Sequence, residues 1–301
     1  MKIFSGSSNK PLSEKIAKHL GLKLSTIELH VFPDGERRIK LNDTVVDENT
    51  VVIQPTATPV DQNYIELFFI IDALRRSGAR SVCVVVPYLG YQRQDHIFRD
   101  GESVSLQVMI KLLESMHIDK IIAVDLHSIK IPEFFHIPLV HLSALSIFSD
   151  TIKSLFSGFV NDSVLVSPDM GGLRRISEAS ELLSGLPWIS TVKDRDLDTG
   201  KIVINKIEGD PSKIKKRAFI IDDMISSGGT TIQSAELLRR NGVEEIYVFV
   251  THAIFSEDAP AQLQKSIINK VFVTDSVFIP KEKHFEKLEI LSIAQMVSEK
   301  L

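Results

Sequence analysis

Short runs of β-branched and other apolar residues recur along the chain, separated by segments long enough for a helix with one apolar face. The clearest runs lie at 50–53, 82–86, 121–124, 164–166, 218–221 and 246–250. Strands that are buried on both faces have continuous apolar sequences, and their alternation with helices is typical of parallel sheets covered by helices. This pattern predicts an α/β fold.

Polar residues follow these runs in a similar way in the two halves of the chain. In the first half, runs lead into Gln54-Pro55-Thr56 and Asp125-Leu126-His127, and in the second half into Ser167-Pro168-Asp169 and Asp222-Asp223-Met224. A chain of 301 residues is long enough for two domains with separate cores. We therefore predict similar domains at 1–144 and 145–285, and a segment at 286–301 that can pack back on the first domain.

Composition excludes several classes of protein. The net charge of −4 argues against bulk nucleic-acid binding, which requires a basic surface. The N-terminus has no apolar signal region and no apolar run is long enough to cross a membrane, so a cytoplasmic location is expected. Cys83 is the single cysteine, so it cannot form an intrachain disulfide, and its apolar neighbours predict a buried strand residue.

Two helix starts can be located from capping residues. Asn9 and Thr58 are expected to cap helices that begin at Pro11 and Pro59, because side-chain oxygens at this position accept from free backbone N–H groups.

The most informative segment lies at 218–231, where an apolar strand leads into two acids, a loop of small residues and a helix. Two adjacent glycines allow successive N–H groups to converge on an anion, and the hydroxyl groups and helix N-terminus add donors. Asp222 and Asp223 would repel a phosphate unless they accept hydrogen bonds from sugar hydroxyls at the other end of the ligand. The segment therefore predicts a sugar-phosphate site, whose phosphate loop consists of Ser226, Ser227, Gly228, Gly229 and Thr230.

Other candidates are ambiguous on their own. Arg93 and Gln94 follow a predicted parallel strand, at the sheet edge where ligands of α/β proteins bind. Asp34-Gly35 is typical of a hairpin turn. By itself, His127 at a strand end is more typical of a structural histidine, and Lys193 and Arg195 are typical of a solvated loop.

The segment at 218–231 resembles the phosphoribosyl-diphosphate-binding motif of type I phosphoribosyltransferases and of ribose-phosphate diphosphokinases, and it does not choose between them. Three further motifs resemble the diphosphokinase family and occur in its order: Phe32-Pro33-Asp34-Gly35-Glu36, the residues 87–95, and Val124-Asp125-Leu126-His127. The resemblance covers essentially the whole chain. It implies two tandem type I phosphoribosyltransferase-like domains, each with a mainly parallel sheet flanked by helices.

The resemblance also implies an activity and its residues. The reaction would be Mg2+-dependent transfer of a diphosphoryl group from ATP to ribose 5-phosphate. The implied ATP contacts on the first domain are Phe32, Asp34, Glu36, Arg93 and Gln94. The implied Mg2+ ligands are His127 and Asp169, and Lys193 and Arg195 would close over the phosphates in the transition state. The hairpin at 32–36 would reach the ATP of a neighbouring subunit, which implies a homo-oligomer of at least two chains.

Two features depart from the allosterically regulated members of this family. Ser226 and Gly228 replace an acid and a less flexible residue, which resembles the archaeal-type subset. The chain also ends at Leu301, so a separate ADP site and a hexamer are not expected.

Two alternative functions remain at this point. A phosphoribosyltransferase should lack Arg93-Gln94 and His127, and a non-catalytic regulatory relative should lack parts of the set formed by Lys193, Arg195, Asp222 and Asp223. All of these residues are present.

Overall fold

The computed structural model describes residues 1–195 and 202–301. They form two compact units. The first comprises Met1–Ser143, Ser276–Phe278 and Ser292–Leu301, and the second comprises Ala144–Asp275 and Ile279–Leu291. The C-terminal residues 292–301 therefore belong to the first unit.

Both units contain strands and helices. Up to residue 143 they are β1 (Lys2–Ser5), α1 (Lys10–His19), β2 (Leu24–Ser25), β3 (Ile27–Val31), β4 (Arg37–Leu41), β5 (Asn49–Ile53), α2 (Val60–Arg76), β6 (Ser81–Val86), α3 (Ser105–Ser115), β7 (Lys120–Val124) and β8 (Leu139–Leu142). From residue 144 they are α4 (Leu145–Leu155), α5 (Phe159–Asp162), β9 (Ser163–Ser167), α6 (Leu173–Leu182), β10 (Trp188–Arg195), β11 (Ile202–Glu208), β12 (Arg217–Ile225), α7 (Gly229–Arg240), β13 (Glu245–Ala253), α8 (Ala259–Lys265), β14 (Lys270–Thr274), β15 (Leu288–Leu291) and α9 (Ala294–Ser298).

The first unit contains a parallel sheet in the order β2-β1-β5-β6-β7-β8. The second unit has a sheet in the order β11-β10-β9-β12-β13-β14-β15, in which the β10–β11 pair is antiparallel and the other pairs are parallel. These sheets confirm the predicted α/β class.

The sheet of the second unit is buried on both faces. Alternate residues of β9 and β12 enter two separate cores, because successive side chains of a strand point to opposite faces. One core contains Val164, Val166 and Ile220, and the other contains Leu165, Phe219 and Ile221. This two-sided burial explains why these strands have continuous apolar sequences.

The predicted hairpin and one of the two predicted helix caps are present. β3 pairs antiparallel with β4, with Leu29 opposite Ile39, and the turn at 32–36 is closed by the N–H of Phe32 donating to the Glu36 carbonyl at 2.8 Å. The Asn9 side chain accepts from the N–H of Leu12, as expected for a cap of α1. The cap predicted at Thr58 is wrong, because Pro59 itself occupies that position with an extended backbone and no side-chain hydrogen bond.

Cys83 lies in β6 as predicted, but it is half-buried rather than fully buried. Burial raises the pKa of its thiol to about 11, and the nearby Asp119 adds to this rise while Lys120 opposes it.

Among the described residues, no helix is long and apolar enough to cross a bilayer.

Candidate active site

The predicted acids of the second unit lie at one edge of its sheet. β9 pairs in parallel with β12 only as far as Val166 opposite Ile220, so Asp222 and Asp223 lie beyond the end of β9. Both acids lie inside β12, which continues to Ile225, rather than at its end as the sequence suggested. Asp169 follows β9 and faces the same edge, because the carboxyl ends of parallel strands meet there.

Arg175, in the first turn of α6, pairs with both acids of β12. Its Nη1 lies 3.4 Å from Oδ1 of Asp222 and 3.5 Å from Oδ1 of Asp223. Burial and the neighbouring Asp223 carboxylate raise the pKa of Asp222 well above its ordinary range, Asp169 adds to the rise, and Arg175 opposes it. The structure therefore brings Asp222 and Asp223 together at one guanidinium, with Asp169 near enough to raise the pKa of Asp222.

Sequence reasoning missed Arg175. It lies six residues after Asp169, next to Arg174, which instead pairs with Glu178 on the exposed side of the helix. Two adjacent arginines in a helix point in different directions, and only the packing of α6 decides which one reaches the acids.

Asp169 is held in place by its own loop. Its Oδ1 accepts from the N–H of Gly172 at 3.2 Å, and its carbonyl accepts from the Ser167 hydroxyl at 2.7 Å. A side chain at Gly172 would place a Cβ 2.4 Å from the Ser167 Oγ, so this turn requires glycine for close approach.

The loop predicted to bind phosphate connects β12 to α7. Gly228 has a φ of +81°, which an L side chain rarely adopts, and Gly229 is the first residue of α7. A Cβ at Gly229 would have only the Ser227 Oγ near it, at 3.9 Å. Ser226 bonds to Ser256 at 3.0 Å, whereas Ser227 is exposed. A helix N-terminus with a curled glycine loop is a suitable site for an anion.

Lys193 and Arg195 lie near the end of β10, past Ser190, where the pairing with β9 ends. In the antiparallel pairing with β11 they stand opposite Ile204 and Ile202. Their side chains lie outside the part of the chain that the structure describes.

In the first unit, the loop after β6 presents Arg93 and Gln94 to solvent. Its base is fixed at Gly90, whose N–H donates to the Thr56 hydroxyl at 2.7 Å and whose carbonyl accepts from the Tyr64 hydroxyl at 2.9 Å. A Cβ at Gly90 would lie 2.5 Å from the Thr56 carbonyl oxygen, so a larger residue does not fit. The exposed pair therefore extends from a rigid base.

His127 is exposed, and hydrogen bonds to its backbone and that of Leu126 hold it beyond the end of β7. The N–H of Leu126 donates to Nε2 of His141 at 3.0 Å, and the N–H of His127 donates to Oε1 of Gln92 at 3.0 Å. Gln92 belongs to the loop that carries Arg93 and Gln94. The structure therefore joins the predicted ATP loop directly to the predicted metal ligand.

The tip of the β3–β4 hairpin is exposed at Phe32, Asp34 and Glu36. Phe32 is 37% exposed, the His30 ring packs against its edge at 4.5 Å, and the Arg38 guanidinium lies 6.0 Å from its centre. Below the tip, Arg37 anchors the hairpin to α2.

That anchor is a buried ion pair. Nη1 of Arg37 lies 2.8 Å from Oε2 of Glu66, whose side chain is only 1% exposed. The same carboxylate accepts from the N–H and hydroxyl of Ser7 and from Nε2 of Gln54. Four donors therefore satisfy Glu66, and one of them carries a positive charge.

The donor set for Mg2+ is sparse. Among residues 1–195 and 202–301, no group of three or more His, Cys, Asp or Glu side chains is arranged to hold a metal ion. Mg2+ in proteins usually keeps several waters and binds through one or two carboxylates together with phosphate oxygens, so a sparse set of protein donors is compatible with this ion.

Comparison with known proteins gives a consistent result. Residues 1–116 match the family model of the N-terminal domain of ribose phosphate pyrophosphokinase, and residues 203–301 match the phosphoribosyl synthetase-associated domain. A ribose-phosphate pyrophosphokinase of Fusobacterium nucleatum is 36% identical over 296 residues, which cover 97% of this chain and 91% of that protein.

A plant protein and a crystal structure extend the comparison. The chloroplastic ribose-phosphate pyrophosphokinase 2 of Oryza sativa is 36% identical over 99% of this chain and 74% of its own length. The crystal structure of phosphoribosylpyrophosphate synthetase from Mycobacterium smegmatis matches with a TM-score of 0.91 and 29% identity, over 99% of this chain and 96% of that one. The match confirms the predicted fold.

Proposed function

This chain belongs to the ribose-phosphate pyrophosphokinase family, and from that premise we propose that it transfers the diphosphoryl group of ATP to the C1 hydroxyl of ribose 5-phosphate. The hydroxyl oxygen attacks the β-phosphorus and loses its proton, the bond from that phosphorus to the oxygen bridging it to the α-phosphorus breaks, and AMP leaves with that oxygen. The products are 5-phosphoribosyl 1-diphosphate and AMP.

One observation carries the ribose 5-phosphate half of the proposal: two carboxylates precede, on the same strand, a glycine loop that opens a helix. The loop from Ser226 to Thr230 would hold the 5-phosphate through backbone N–H groups and hydroxyls. Asp222 and Asp223 would accept from ribose hydroxyls, and Arg175 keeps the two acids in place at 3.4 and 3.5 Å. These residues lie in the predicted domain at 145–285.

The ATP half lies in the predicted domain at 1–144. Arg93 can bind phosphate oxygens with its planar guanidinium, and Gln94 can both donate to and accept from a purine. Both are exposed on a loop with a fixed base. Phe32 would stack on the adenine, with Asp34 and Glu36 toward its polar edge.

His127 and Asp169 would hold Mg2+, which supplies charge neutralisation and orientation of the phosphates when bound. Diphosphoryl transfer depends mainly on positioning and on cations near the developing oxygen charge. Lys193 and Arg195 would provide those cations in the transition state, as a point charge and a bidentate donor. We also propose that the reaction takes place in the cytoplasm.

The ATP site is proposed to be shared between two copies of the chain. The hairpin tip carries an aromatic ring and two acids on an exposed turn, and such a patch is suited to a ligand or partner. A two-fold dimer would contain two equivalent composite sites.

We also infer a relationship to the archaeal-type subset from Ser226 and Gly228. This inference rests on the loop alone, and the relatives described above are bacterial and plant proteins.

A coupled assay for AMP tests the proposed reaction. We expect AMP release that requires ribose 5-phosphate and Mg2+ together, and a Lys193→Ala protein that binds ATP but turns over slower by orders of magnitude. Release of ADP, or release of AMP at the same rate with and without ribose 5-phosphate, would contradict the proposal.

A further inference from the structure

Gln92 is a buried residue that contacts two exposed residues of the proposed function. It precedes Arg93 in the chain, and its side chain is hydrogen-bonded to the backbone of His127. Its side chain is 1% exposed. Its Oε1 accepts from the N–H of His127 at 3.0 Å. The orientation of the amide is fixed, because a backbone N–H can only donate and must therefore face the oxygen.

The nitrogen of the same amide has no corresponding hydrogen bond. Nε2 of Gln92 is buried and has no hydrogen-bond partner among the described residues. A buried amide nitrogen without a protein partner lowers stability, so packing alone does not explain a glutamine at this position. An apolar side chain of similar length would fill the same space without that cost.

We propose that Gln92 is a positioning residue that sets the backbone of His127 relative to the loop carrying Arg93 and Gln94. The inference rests on the proposed function for the roles of those three residues. What we add is a mechanical coupling between the two sites. The proposed metal ligand and the nucleotide loop are joined by one buried amide, so a shift of either moves the other. His127 itself would touch the metal, and Gln92 would act only through it.

Two other bonds show why this link controls the direction of His127. The preceding N–H, of Leu126, is already held by His141 at 3.0 Å, and Asp125 has a φ of +38° with its N–H bound to the Leu142 carbonyl at 2.8 Å. The loop is therefore fixed up to Leu126. The bond to Gln92 is the next constraint along the chain, and it comes from the nucleotide loop.

The test uses Gln92→Met, which keeps the length of the side chain and removes both polar atoms. His127 is exposed, so water can replace the lost acceptor on its N–H. We expect the Tm to stay equal to that of the parent or to rise. We expect hydrogen exchange at the His127 amide to become faster, and Mn2+ binding in the presence of ATP, followed by electron paramagnetic resonance, to weaken on the order of tenfold.

Kinetic measurements separate this role from a structural one. The KM for ATP should rise with the Mn2+ dissociation constant, while the KM for ribose 5-phosphate stays near the parental value. Gln107→Met, at a half-buried glutamine of α3, is the matched control and should change neither. Gln92→Glu keeps an acceptor and loses the donor, so it should preserve protection of the His127 amide and serves as the second variant if Gln92→Met does not fold.

The outcomes are distinguishable. A lower Tm with unchanged Mn2+ binding and unchanged KM would overturn the inference and leave Gln92 a structural residue. Unchanged exchange at His127 in Gln92→Met would overturn it as well. If the parent protein releases no AMP, the proposed function fails, while the exchange and Mn2+ measurements still decide the role of Gln92.

Discussion

Gly228 and Gly229 are adjacent, yet a side chain would have a different effect at each. Gly228 has a φ of +81°, so Gly228→Ala should destabilise the fold by about 1 kcal/mol through backbone strain. Gly229 is the first residue of α7, and an added Cβ there has only the Ser227 Oγ near it, at 3.9 Å, apart from its chain neighbours and its own helix backbone.

Gly229→Val therefore tests the phosphate loop without a large stability change. If the 5-phosphate approaches this backbone, the KM for ribose 5-phosphate should rise at least about tenfold, equivalent to about 1.4 kcal/mol, while the KM for ATP changes little. Steady-state kinetics with each substrate varied in turn measures both. An equal rise in the two constants would count against the assignment.

Asp222 gives a pH dependence of stability. Its pKa is raised mainly by burial, so the folded protein holds a proton that the unfolded chain releases near its ordinary pKa of about 3.9. The stability that the protonated form contributes is complete below that pH and is lost as pH rises through the folded pKa. At neutral pH, Asp222→Asn should therefore stabilise the protein by about 1 kcal/mol, or roughly 2 to 4 °C in Tm.

Thermal melts from pH 4 to pH 8 in a chelator measure this effect. The difference between Asp222→Asn and the parent should shrink toward low pH. Asp210→Asn is the matched control, because hydrogen bonds from Ser212 lower the pKa of Asp210 and no stabilisation is expected there. A Tm difference that is constant with pH would show that the charge of Asp222 is not its cause.

At the scale of elements, the hairpin depends on a buried ion pair at its base. Arg37 supplies the positive charge to a Glu66 side chain that is 1% exposed. Arg37→Met leaves a buried carboxylate unpaired and should lower the free energy of unfolding by about 3 kcal/mol. The double change Arg37→Met with Glu66→Gln should recover most of that loss, because no buried charge remains.

Urea unfolding of the two single variants and the double variant gives the coupling energy. Lys40→Met is the control on the same hairpin, since its pair with Glu28 is 61% and 50% exposed and should contribute less than about 1 kcal/mol. Equal losses for Arg37→Met and Lys40→Met would mean that the hairpin is not anchored through Glu66.

The sequence predicted elements better than contacts between them. The strands, the hairpin and the Asn9 cap follow from local patterns, which are visible in neighbouring residues. The prediction of Thr58 as a cap was wrong, because α2 begins at Val60, one residue later than the sequence pattern indicated. Arg175 and Gln92 were missed because their roles depend on which side of a helix or loop packs against another element, and a single sequence does not contain that information.

At the scale of the whole molecule, the shared ATP site predicts complementation between inactive proteins. Phe32→Ala and Lys193→Ala should each lower activity, and equal mixing should restore about a quarter of the parental rate, since half of the dimers are mixed and one of their two sites is intact. The measurement is AMP release after proven subunit exchange.

The matched control mixes Lys193→Ala with Arg195→Ala. Both residues lie on one strand of the same subunit, so no site in a mixed dimer regains both and no recovery is expected. If activity recovers in both mixtures, or in neither, the proposal that the hairpin of one chain completes the ATP site of another is contradicted.

The half-buried thiol of β6 has a practical consequence. With a pKa of about 11, Cys83 is almost entirely protonated at neutral pH. Because the thiolate is the form that reacts with thiol reagents, Cys83 should be modified slowly. A cysteine introduced at an exposed position such as Asp34 or Ser227 would be modified far faster than the native one. One fluorophore or spin label can therefore be attached at a chosen position without first replacing the native cysteine. A label on the hairpin tip or on the glycine loop would allow that segment to be followed in solution during turnover.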